Sequence, residues 1–366
     1  MGNLPTQILI VGVLYPMLLN QDRVTRRGAL RFGRLVPVAA LLAVAAGSGW
    51  LSIQGRVSLD IAPILILAAV NAVIQARLWF LAVFAEADGR PHWMAAIALP
   101  ANVLATLVML LPWPSSTATV TAMFVALAIA NGGFLVVMAR VKVGIHVLDG
   151  LPAVPGRKHS AHYWFLSKSF VGYGGLMIVQ SLALVLPPST LTLLTLPMKI
   201  VGSVAATFVN AVMPLLVHQN TESPTEARRF LSILTVILGS LGLVILVAGG
   251  LFLPEHFVQV LVVALWLLAA AAASVAQRMM FRFLPPSASR ITLAVVPMIV
   301  AAVAVSVQSD GFGLIALLCA YALVDAASGF LILVALRARV MSCVTGLITL
   351  SLAAIWVASL FYPGIS

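Results

Sequence analysis

The stretch Phe312–Arg337, FGLIALLCAYALVDAASGFLILVALR, carries one charge, Asp325, before its closing Arg337. Crossing about 30 Å of hydrocarbon takes about 20 apolar residues at helical rise, and this run exceeds that length. Its apolar residues do not alternate with polar ones, as a barrel strand would require. Inside hydrocarbon a helix satisfies all of its own backbone groups, so the stretch reads as a membrane-spanning helix. Working outward, eleven more runs bounded by charge, Pro or Gly follow the same pattern, at 4–20, 35–53, 61–84, 93–112, 118–140, 163–186, 190–216, 229–252, 256–278, 290–308 and 340–362. The chain is therefore predicted to be an all-α polytopic membrane protein with about 12 transmembrane helices.

Composition agrees with that reading. The 366 residues are 62% hydrophobic and 8% charged, against roughly a quarter charged in a soluble domain. A net charge of +11 would suit nucleic acid, but the cations fall in short segments between apolar runs, which is the positive-inside pattern of a membrane protein. No nucleic-acid partner is expected. The first connection holds Arg23, Arg26, Arg27, Arg31 and Arg34 against Asp22, and every second connection after it is basic. These are Arg90, then Arg140, Lys142, Arg157, Lys158 and Lys168, then Arg228 and Arg229, then Arg278, Arg282 and Arg290, then Arg337 and Arg339. The intervening loops hold almost only Arg56. The basic side is assigned to the cytoplasm, which leaves residue 1 on the outer face. Cys319 and Cys343 fall inside apolar runs and are read as packing residues rather than a disulfide or metal pair. The loop histidines His146, His159, His162, His218 and His256 lack metal spacing, so no metal and no cofactor is predicted.

An internal repeat organises the spans. Val11–Phe32 lies over Val209–Phe230 at an offset of 198, with 7 of 22 positions identical, including Pro16/Pro214, Gln21/Gln219 and Arg31/Arg229. Pro100 matches Pro297, and Gly133-Phe134-Leu135 matches Gly329-Phe330-Leu331, at offsets of 197 and 196. Six spans per repeat is an even number, so both halves share one orientation about an axis along the membrane normal. The expected divisions are a first helical lobe at 1–140 with five of six helices, a cytoplasmic linker at 141–162, a second lobe at 163–339 with six, and an additional helix at 340–366. The counterpart of span 163–186 would precede residue 1, so one further N-terminal helix is expected, either missing from this sequence or lost naturally.

Ser167–Gln219, SKSFVGYGGLMIVQSLALVLPPSTLTLLTLPMKIVGSVAATFVNAVMPLLVHQ, resembles the seventh and eighth helices of the multidrug, oligosaccharidyl-lipid and polysaccharide flippase superfamily. There an external Pro/Ser turn is followed by a helix that bears one cation and closes at a Pro. The resemblance implies two lobes around a central cavity and movement of a polyprenyl-diphosphate-linked oligosaccharide or polysaccharide precursor across the membrane by alternating access. It also implies a lipid-linked glycan substrate, membrane lipids as neighbours, and a glycan polymerase or other envelope-biosynthesis proteins as partners. The arginine-rich positions of the lipid II branch have no counterpart in this sequence, and a cation-coupled multidrug exporter is the sibling alternative. The Ala, Val, Leu and Arg content suggests a GC-rich bacterial genome and places the protein in the cytoplasmic, inner membrane.

Ionisable groups within spans mark functional sites by default. Lys199 near the middle of 190–216 is the first candidate to pair with the carrier's diphosphate through charge-assisted bonds. Asp325 lies near the middle of 312–337, and a structural Lys199–Asp325 pair is the competing reading. Arg77, about two turns from the cytoplasmic end of 61–84, either joins the cavity or, as the preferred reading, snorkels to the headgroups. Gln180 and Asn210 lead the uncharged polar residues as ligands for sugar hydroxyls, ahead of Asn71, Gln75, Asn102 and Asn131, and interhelical hydrogen bonding explains all six equally well. A polytopic glycosyltransferase or acyltransferase is the remaining alternative. No outer loop exceeds about ten residues or clusters carboxylates, so the protein is predicted not to be an enzyme.

Overall fold

A computed structural model describes residues 4–19, 24–53, 61–90, 92–109, 111–151, 160–182, 186–187, 224–309 and 311–361, with scattered positions between 193 and 205. Among the described residues all regular structure is helical. Seven helices are long and apolar enough to cross a membrane, and Leu4–Leu18 and Val236–Phe252 are shorter apolar helices. The protein is an α-helical membrane protein.

The chain divides into two compact units, Met1–Ser169 and Phe170–Ser366. In the first, a helix begins at α1 (Leu4–Thr6), widens into a π-helical segment at Gln7–Leu14 and closes as α2 (Tyr15–Leu19). Then come α3 (Arg26–Ile53), α4 (Ala62–Ala87), α5 (His92–Ala96), α6 (Ala98–Met109), α7 (Ser116–Arg140) and α8 (Ile145–Gly150), with α9 (Ser160–Leu182) crossing into the second unit. The second unit continues with α10 (Pro224–Phe252), α11 (Phe257–Phe283), α12 (Arg290–Ser306), α13 (Leu314–Ala335) and α14 (Arg339–Phe361). The segment expected as a linker at 141–162 contains α8 and the start of α9.

The basic residues lie on helix more than the charge pattern suggested. Arg26, Arg27, Arg31 and Arg34, expected in a loop, ride on the first turns of α3. Thr25 caps that helix: its Oγ1 accepts from the Gly28 N–H at 3.1 Å, and its carbonyl from the Ala29 N–H at 2.9 Å. From Arg31 to the exposed Trp50 is about 28 Å of helix. That matches the hydrocarbon thickness, with arginine at one interface and tryptophan at the other. Lys168, also expected in a connection, lies two turns into α9 and is 7% exposed.

The expected span 93–112 is two helices, because Pro100 lacks an N–H and its ring clashes with the carbonyl four residues back, at Ala96. The chain breaks there and restarts as α6, whose first turn tolerates the proline. Cys319 is buried as expected, whereas Cys343 is exposed on α14, where it faces the surroundings of the bundle rather than its packing.

Three of the helix pairings recur in both units, and the second unit adds α14 packed on α13. In the first, α3 packs on α4, α4 on α7, and α6 on α7. In the second, α10 packs on α11, α11 on α13, and α12 on α13. The helices that end these sets, α7 and α13, also terminate alike. Lys142 (φ 54°) and Arg337 (φ 58°) adopt the left-handed conformation. The Val143 N–H then donates to the Met138 carbonyl at 3.0 Å, and the Ala338 N–H to Leu333 at 2.9 Å, which is a Schellman closure in each case. Polar contacts fasten the paired helices as well. Asn71 on α4 donates to the Phe124 carbonyl on α7 at 3.0 Å and accepts from Asn131 at 3.5 Å, while Trp266 on α11 donates to Asp325 on α13 at 2.8 Å.

The two matched glycines differ. A methyl group at Gly329 would lie 3.1 Å from the Ala273 Cα, whereas Gly133 has open space. Gly329→Val is expected to destabilise the protein by about 1–3 kcal/mol through overpacking, and Gly133→Val to leave it nearly unchanged. Thermal unfolding of the two variants in the same detergent checks this; equal midpoints would contradict the α11–α13 contact.

Candidate functional site

In the second unit the polar chemistry gathers on α13. Its 22 residues are apolar apart from a stripe of Tyr321, Asp325 and Ser328 at i, i+4 and i+7, which places the three on one helix face. Asp325 stands eleven residues from the helix start and ten from its end, so its carboxylate is near the middle of the span. It is half-buried and accepts the Trp266 indole N–H. The Trp266 and Tyr321 rings meet at a centroid separation of 5.7 Å and a tilt of 51°. The Tyr321 hydroxyl donates to the Leu176 carbonyl of α9 at 2.9 Å, and the phenols of Tyr173 and Tyr321 lie within electrostatic reach of Asp325. Ser328, 2% exposed, has no hydrogen-bond partner for its hydroxyl among the described residues.

A side chain at Gly175 would collide with Val296 of α12, and one at Gly172 would touch Thr292, so α9 approaches α12 locally at these glycines and meets the α13 stripe through the Leu176 carbonyl. A carboxylate in this setting can accept hydrogen bonds, hold a proton or pair with a cation. The described partner of Asp325 is the indole of Trp266. Lys199, the partner considered from sequence, lies outside the described residues, as does Asn210. Gln180 is half-buried near the end of α9.

In the first unit Arg77 is exposed on α4. The helix runs to Ala87, three residues past the expected end of the span, so Arg77 sits ten residues, or about 15 Å, from that end. It lies about 4 Å from the midpoint of a helix roughly 39 Å long. Both readings of Arg77, snorkelling to the headgroups and joining a cavity, remain compatible with an exposed arginine at this place in α4. A charge held at the bilayer centre costs about 3 kcal/mol even on the mildest scales unless water, a counter-charge or the headgroups are within reach. Asn71, half of the α4–α7 fastening, is 6% exposed and Asn131 is 2% exposed, so both act as interhelical bonds rather than as ligands.

Sequence reasoning overlooked one buried carboxylate. Glu86, 3% exposed at the end of α4, accepts a 2.5 Å hydrogen bond from the Tyr15 hydroxyl of α2. Gly144 (φ 72°) makes room for the neighbouring Phe84 and Leu81. Glu86 was hidden because it ends an apolar run, where acids ordinarily face water. Tyr321 and Ser328 were missed because each is unremarkable alone and only the i, i+4, i+7 spacing around Asp325 signals them, while Trp266 lies on another helix and has no such signal.

Comparison with protein-family models, curated proteins and solved structures finds no match for this chain.

Removing the indole donor with Trp266→Phe is expected to lower stability by about 1 kcal/mol, in the range measured for hydrogen bonds between membrane helices. A double-mutant cycle with Asp325→Leu, read by thermal unfolding, should return that coupling. Additive effects would mean that the indole and carboxylate do not hold α11 to α13.

Proposed function

We propose that the protein is a membrane transporter that flips a polyprenyl-diphosphate-linked oligosaccharide or polysaccharide precursor across the bacterial cytoplasmic membrane by alternating access. Arg77 carries the reading. It is exposed near the middle of α4, where a guanidinium would be stabilised by a wet cavity, and its planar fork suits the oxygens of a diphosphate. Lys199, from the sequence, would be its counterpart in the second half. The shared packing pattern of the two units, together with the matched Schellman ends of α7 and α13, supports the tandem repeat on which a two-lobed transporter is built.

Asp325 favours a second reading, a cation-coupled multidrug exporter. A mid-span carboxylate beside the rings of Trp266 and Tyr321 would suit an organic cation through charge and ring-face attraction. The two readings separate on Arg77, which attracts a diphosphate and repels a cation.

The test uses full-length protein in vesicles, following a fluorescent polyprenyl-diphosphate oligosaccharide as it passes from inner to outer leaflet. Arg77→Gln is expected to slow movement at least about tenfold, the loss of one charge-assisted bidentate contact, and Arg77→Lys to retain part of it. Unchanged movement in Arg77→Gln would remove Arg77 from the site. Export of an organic cation that is abolished by Asp325→Asn, without glycolipid movement, would establish the second reading instead.

A further inference from the structure

We infer that the exposed face of α3 is a binding site for an anionic phospholipid, its phosphate held by Arg27, Arg31 and Arg34 and an acyl chain lying along Leu35, Val38, Leu41 and Leu42. The site does not depend on what the protein transports. The three arginines recur at i, i+4 and i+7, which aligns them on one helix face, and all three are exposed. Along that face the exposed residues turn apolar: Leu35, Val38, Leu41 and Leu42 are 62%, 53%, 44% and 64% exposed. Ala29, Val36 and Ala40, each fully buried, form the opposite face, where Gly33 lies against the Phe80 ring of α4. Packing thus fixes which side of α3 looks outward.

Among the described residues the charges on that side have no carboxylate to match them. Arg26 is taken by Asp149 at 2.8 Å and Arg90 by Asp88 at 3.5 Å. Among the described residues no carboxylate lies within ion-pair distance of Arg27, Arg31 or Arg34. Arg27 and Arg34 stand about 10 Å apart along the axis, a depth over which one phosphate and its ester oxygens can be shared between guanidinium forks. The sequence of cations followed by an apolar ridge follows the profile of a phospholipid from headgroup to tail. A zwitterionic headgroup brings its own ammonium toward three guanidinium groups and is disfavoured. The outward stripe of α14, which includes Val340, Leu347, Leu350, Val357 and Phe361, offers the same apolar ridge with only Arg339 at its head, so it lacks the phosphate cluster.

The experiment is native mass spectrometry of the full chain in detergent, titrated with phosphatidylglycerol or phosphatidylcholine of matched acyl chains. Phosphatidylglycerol is expected to bind at least about tenfold more tightly, given the attraction of each basic residue near an anionic surface, and added salt should reduce the preference. The variant Arg27→Gln/Arg31→Gln/Arg34→Gln should lose it. The charge-matched variant Arg140→Gln/Arg337→Gln/Arg339→Gln should keep it. Equal binding of both lipids by the unaltered chain overturns the proposal, as does equal loss in the two triple variants, which would reduce the effect to net charge. If the first variant fails to fold, the lipid comparison on the unaltered chain and on Arg27→Lys/Arg31→Lys/Arg34→Lys, expected to retain the preference, decides the matter.

Discussion

Hydrocarbon offers no hydrogen-bonding partner, and every feature of this chain is arranged around that absence. A backbone amide left open in lipid costs several kcal/mol, so each long apolar stretch closes into a helix. Pro37 sits inside α3 and leaves the Gly33 carbonyl without its helical N–H partner. Pro100 instead ends one helix and starts another. The eight-residue π segment at Gln7–Leu14 belongs to a class that is rare in proteins, and Gly12 within it lets the helix approach Ser169. The same absence of water governs the side chains. Asn71 and Asn131 bond across α4 and α7, and Trp266 meets Asp325 across α11 and α13.

The two units solve the same packing problem in the same order. A long helix pairs with its predecessor and with the last helix of the set, and a shorter proline-bearing helix leans on that last helix. Both final helices close through a left-handed residue that carries a long cationic side chain, Lys142 or Arg337. Glycine is the usual occupant of such a position. A cation there places positive charge beside the negative end of the helix dipole, so helix closure and neutralisation of the dipole fall to one residue in each unit.

Much of this was legible in the sequence, because length and apolarity are what the bilayer selects. The long helices α4, α7, α11, α12, α13 and α14 stand close to the predicted spans. Their basic ends were harder to place: Arg27, Arg31 and Arg34 read as loop by charge, yet a helix can extend past the hydrocarbon and keep its arginines in the headgroups. Asp325 was visible as a lone charge in an apolar run. Its surroundings were not, because Trp266 and Leu176 come from α11 and α9, and nothing in linear order says which helices meet.

Gly133 and Gly329 occupy corresponding places in the sequence, but one has empty space beside it and the other a neighbouring backbone. In evolutionary terms this sets different tolerances for drift. A replacement arriving in α7 meets room to expand, whereas one arriving in α13 must be matched by a change in α11. Drift should therefore run freely at Gly133, whereas at Gly329 it is confined to changes that arrive together with one in α11.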